Sequence, residues 1–138
     1  MSLRKSLFIL DSIVLLLLGL ALLVLNVNVA ELYGVTLAPV GIFFARVLGG
    51  VLIGKAVLMY LVRNHADDRI GQGVSLAMIV GWGIPLIVAL IAQMDNLFNA
   101  WGWATVLVTL LFTVAFGWAA LTEPDFVAEE DWRRQQQT

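Results

Sequence analysis

The chain has no cysteine and a single histidine, His65. These two absences exclude a disulfide framework, a thiolate nucleophile, Cys-ligated zinc or iron-sulfur sites, and any multi-histidine metal or haem site within one chain. Charge is scarce as well: 13% of the 138 residues are Asp, Glu, Lys or Arg, and the net charge is -2. A soluble domain carries about 25% charged residues, so the chain is too poor in charge to be one. With no basic surplus to attract a phosphate backbone, nucleic acid is not an expected partner.

Apolar sequence is abundant instead. Hydrophobic residues make up 61% of the chain, and they gather into four runs, about 7–25, 40–62, 70–92 and 103–121. Each is near the ~20 residues needed to cross a hydrocarbon core roughly 30 Å thick. Lipid offers no hydrogen-bond partner to a backbone, so runs of this length read as helices; barrel strands would show about ten residues of alternation. The expected fold is an all-α membrane protein, a single domain over 1–122 followed by a short cytoplasmic tail, 123–138. The first run is expected to stay as a helix and not to be cleaved as a signal, because it carries Asp11 and no clean small-x-small site follows it.

Direction follows from the basic residues. Arg4, Lys5, Arg63, Arg69, Arg133 and Arg134 all flank the spans on one side, whereas Asn26 to Pro39 and Gln93 to Trp101 contain no Lys or Arg. Basic loops stay in the cytoplasm, so both termini and the Arg63–Arg69 loop are expected inside. The short connections predict an up-down-up-down four-helix bundle with consecutive helices as antiparallel neighbours. This describes a multi-pass protein of a bacterial inner (cytoplasmic) membrane.

Apolar burial gives helices little reason to associate in lipid, so packing relies on small residues and interhelical hydrogen bonds. Steps of four keep Gly73, Ala77, Gly81, Pro85 and Ala89 on one face of the third span, Thr105, Thr109, Thr113 and Gly117 on one face of the fourth, and Gly50 with Gly54 on the second. These stripes are expected to be packing seams, and the leucine-rich stretch of the first span, from Val14 to Leu18, is expected to face lipid. Pro85 withholds a backbone bond from the Gly81 carbonyl and should kink the third helix.

Three charges lie inside the spans, where each costs about 2.5–3.5 kcal/mol or more at the centre. Asp11 and Lys55 fall at similar depth on adjacent helices and are expected to form an intramembrane ion pair, with the cytoplasmic interface as the alternative resting place of Lys55. Arg46 has no acid at its depth. It is expected to point into the bundle, toward the Gly81 carbonyl, Pro85, Thr105 and Thr109, as a candidate ligand or partner site. The tail after Pro124, with Phe126, Val127 and Trp132, is compatible with a short interfacial helix.

So few titratable groups at membrane depth do not suggest an enzyme, and no catalytic residue, cofactor or metal is expected. The expected function is a small accessory or scaffolding subunit packed against a larger membrane assembly, with the lipid bilayer, other membrane subunits or itself as partners. The alternative is a homo-oligomeric channel or small carrier using Arg46 to select an anion or polar ligand.

Overall fold

The computed structural model describes residues 1–122 and 132–136. Within residues 1–122 five α-helices follow one another: α1 (Leu3–Val24), α2 (Asn26–Leu32), α3 (Pro39–Val62), α4 (Arg69–Met94) and α5 (Gly102–Leu121), with a 3₁₀ turn at Arg63–His65 between α3 and α4, and residues 132–136 are also helical. No strand occurs among the described residues. Four of the helices, α1, α3, α4 and α5, are long and apolar enough to cross a membrane. The tail expected to form an interfacial helix falls largely on 123–131 and 137–138, outside the described residues.

The helix ends are set by local chemistry. Ser2 caps α1 by accepting from the Lys5 amide, which starts the helix ahead of the apolar run. Pro39 stands in the first turn of α3, where its missing N–H is no loss. Helices α2 and α4 close alike. Gly34 (φ 76°) follows α2, with Val35 N donating to Ala30 O and Gly34 N to Glu31 O; Asn96 (φ 55°) follows α4, with Leu97 N donating to Ala92 O and Asn96 N to Gln93 O. Both are Schellman closures around a left-handed residue, the conformation glycine and asparagine adopt most readily.

Between the first two apolar runs the chain is partly helical: just after the first run ends, it restarts a seven-residue helix at Asn26. Asn26 is itself buried, its side-chain amide donating to Leu23 O.

The long helices associate as two pairs, α1 with α3 and α4 with α5. In the first pair Gly19 and Gly49 lie against each other: a Cβ on Gly19 would stand 2.8 Å from Gly49 O, and one on Gly49 would stand 2.7 Å from Gly19 O and 2.8 Å from Leu23 N. Only hydrogen fits between these backbones. The expected stripes largely do not serve as seams within the chain. Gly50, Gly54, Gly73 and Gly117 meet nothing within 4 Å, and Ala77 and Pro85 are exposed, whereas Ala89 is buried. Thr109 and Thr113 instead return their hydroxyls to carbonyls one turn back on α5 itself, Thr105 O and Thr109 O. Leu15, expected to face lipid, is fully buried, while Leu16, Leu17 and Leu18 are exposed.

The two pairs meet through large side chains. Trp82 stacks on Phe112 (centroids 4.7 Å, planes 13° apart), Phe112 on Phe116 (6.4 Å), and Phe8 tilts against Phe116 (5.9 Å). Met59, Met78 and Leu15 complete this core. At one end Arg4 donates to Thr122 O and lies 3.9 Å from Asp67, and Gln72 donates to Ala120 O. At the other end Asn99 binds both the carbonyl of Tyr33 and that of Leu32, and the Tyr33 hydroxyl bonds Thr105 (2.7 Å). Gly71 sits so close to the His65 and Ala66 carbonyls that no side chain fits there.

Asp68 fixes the start of α4. Its Oδ1 accepts from the Ile70 and Gly71 amides and its Oδ2 pairs with His65 Nδ1 at 2.7 Å. Desolvation pushes its carboxyl up, but the bond and charge of His65 and the two backbone amides together outweigh this and hold it below its ordinary value. A carboxyl depressed on folding adds stability above its unfolded value and loses it as pH falls through the folded one. Asp68→Ala should therefore cost about 1 kcal/mol at neutral pH, the usual worth of such a cap. That difference from wild type should shrink below about pH 4, where aspartates protonate, as read by denaturant titration in bicelles at both pH values.

Candidate functional site

Two side chains of the bundle interior, Trp82 and Lys55, meet around Asp11. Eight residues into α1, it lies about 12 Å from that helix's start at 1.5 Å per residue, and it is completely buried. Trp82 is thirteen residues into α4, about 20 Å by the same rise, yet its Nε1 donates to Asp11 Oδ1 at 2.8 Å. Side chains lean toward the N-terminus of their own helix, so the indole reaches back from position 82 to the Asp11 layer. That accounts for a tryptophan at mid-span, away from the interfaces where the residue is usually found. Its stacking on Phe112 fixes the ring plane and with it the direction of the N–H.

Lys55 obeys the same geometry on α3, where leaning toward the N-terminus means leaning deeper. Its Nζ lies 5.7 Å from the centre of the Trp82 ring and 3.1 Å from where a Cβ on Gly81 would stand. The ammonium therefore rests over the negative face of an indole, beside a glycine that leaves it room, and does not run to the interface. Asp11 and Lys55 are in one neighbourhood, but the direct ion pair expected between them is absent: Trp82 engages both, and Asp11 Oδ2 has no hydrogen-bond partner. Ser75 on α4, two turns before Trp82 on the same face, also has a buried hydroxyl with no partner. Ser12 is satisfied by Ala56 O at 2.7 Å.

The second expected cluster is not assembled. Arg46 is exposed on the outer surface of α3 and does not point into the bundle; no hydrogen bond or ion pair joins it to a described residue. Gly81 lies beside Lys55, Pro85 is exposed within an uninterrupted α4, Thr105 bonds Tyr33, and Thr109 bonds Thr105 O and Val106 O. Arg46 shares a face with Gly50, and that shared face is the reason to expect it inside. Gly50 and Gly54 face outward with it, while the packed glycine of α3 is the neighbouring Gly49.

Sequence reasoning missed Trp82 as the partner of Asp11, the orphaned Ser75 and the Gly19–Gly49 contact. A usable signal existed for the first: a lone tryptophan at mid-span is a hydrogen-bond donor that hydrocarbon cannot satisfy. No group of three or more His, Asp or Glu that could hold a metal ion occurs among the described residues.

By architecture this is a small all-helical protein with four apolar helices of membrane-spanning length. The chain belongs to the DUF8292 family, described as a domain of unknown function, which it matches over residues 9–138. No curated protein and no solved structure matches it.

Proposed function

We propose that the chain is a non-catalytic integral membrane protein that acts as an accessory or scaffolding subunit of a larger assembly in a bacterial inner membrane. It crosses the bilayer four times with alternating direction, both termini and the Arg63–Arg69 loop in the cytoplasm. The end-to-end contacts support this topology: Arg4 meets Asp67 and Thr122 O at one end, and Tyr33 and Asn99 join the connections at the other. The distribution of Lys and Arg supports the direction.

The observation that carries the reading is the outer face of α3. Arg46 is exposed there, and Gly50 and Gly54, one and two turns on, are bare. Glycines let a second helix come to backbone distance in lipid, and a guanidinium at this depth needs an acceptor. A partner helix with a carboxylate or free carbonyl at that level meets both requirements. Purification in mild detergent should yield a stoichiometric foreign subunit that is lost from Arg46→Leu and Gly50→Leu but retained by Gly73→Leu, on α4. A homo-oligomer that conducts anions in liposomes, with flux abolished by Arg46→Leu, would contradict this and establish Arg46 as a selectivity group.

A further inference from the structure

We propose that Asp11 is a proton-binding site inside the bundle, with the Trp82 indole as its hydrogen-bond donor and Lys55 as the cation that compensates its charged form. It goes beyond the scaffolding role and rests only on the membrane reading of the four helices. Two observations carry it. The Asp11 carboxylate is fully buried, one oxygen engaged by Trp82 Nε1 and the other without a partner. Lys55 stands close by over the Trp82 ring yet makes no direct pair with Asp11.

An ionised carboxylate only accepts hydrogen bonds, so a sealed oxygen with no donor leaves its charge uncompensated, at a cost of several kcal/mol in an apolar interior. A proton on Oδ2 removes the charge and turns that oxygen into a donor. The observed arrangement, with Lys55 held away on the indole, is the one a neutral Asp11 permits. When the proton leaves, the ammonium has a short path to the carboxylate and can close the pair. No metal ion is needed, and the nearby cation disfavours one. The groups acting on Asp11 are Trp82 from α4, through its indole N–H, and Lys55 from α3, so Lys55 is the charge that sets the balance. Arg4, two turns earlier on α1, is committed to Asp67 and Thr122 O.

The test is infrared difference spectroscopy of the full chain in lipid nanodiscs, titrated from about pH 4 to about pH 10, the span between the carboxylate and lysine reference values. A carboxylic-acid C=O band that vanishes as pH rises, is missing from Asp11→Asn and survives to higher pH in Lys55→Gln is the expected result. No band assignable to Asp11 across that range, or one indifferent to Lys55, would overturn the proposal. Should Asp11→Asn fail to fold, wild-type protein treated with dicyclohexylcarbodiimide, which modifies protonated carboxyls in apolar surroundings, gives the same decision. Modification at Asp11 at low pH that fades as pH rises supports the site; modification confined to the exposed acids rejects it.

Discussion

Gly49→Ala is expected to destabilise the protein by about 1–3 kcal/mol, the usual range for overpacking a filled contact, whereas Gly50→Ala should change stability by less than about 0.5 kcal/mol. The two positions are neighbours of the same residue type, and only their surroundings differ. A methyl on Gly49 would stand 2.7 Å from Gly19 O and 2.8 Å from Leu23 N, both backbone atoms that no rotamer can move aside. A methyl on Gly50 meets nothing within 4 Å. Helices α1 and α3 must then separate in the first variant, which forfeits dispersion contact along their whole crossing. Equilibrium unfolding in mixed micelles at several denaturant fractions measures the difference. Equal effects at the two sites would mean that the crossing of α1 and α3 is not the one described.

Trp82→Phe is expected to cost about 1–3 kcal/mol beyond the lost packing, the penalty of leaving a buried acceptor without its donor. Phenylalanine keeps an aromatic ring to stack on Phe112 but has no N–H for Asp11 Oδ1. With Oδ2 already unpartnered, the carboxyl would then have neither oxygen satisfied. The double variant Trp82→Phe with Asp11→Leu should recover part of the loss, because removing both partners abolishes the unmet demand. A double-mutant cycle in the same micelles yields the coupling between the two. Additive effects would show that the indole packs without supporting the carboxyl.

The four long helices are legible from the runs of apolar residues, since length and hydropathy alone decide what can cross a bilayer. Helix ends are also within reach of the sequence: Pro39 opening α3 and Asp68 opening α4 are conventional signals. The interior is not. Stripes of small residues mark where a helix can be approached closely, but not whether the approach comes from this chain or another. Gly19 and Gly49 are packed while Gly50 and Gly54 are bare, and spacing does not distinguish them. Depth along the helices puts Asp11 and Lys55 in one layer, because rise per residue is fixed. Their actual contact depends on the reach and lean of Trp82, a side chain long enough to cross more than one turn. The same lean takes Lys55 toward mid-membrane, where a count of residues to the interface would have sent it the other way.

The absence of cysteine makes the topology directly measurable. Single cysteines placed at Ser2, Asn64 and Gln136, and separately at Asn28 and Asp95, can be challenged in intact cells with a membrane-impermeant maleimide. Four alternating crossings with both ends inside predict labelling at 28 and 95 only, with 2, 64 and 136 reacting once the membrane is opened. Labelling of 2 and 136 from opposite sides, or of all five from one side, would contradict the account.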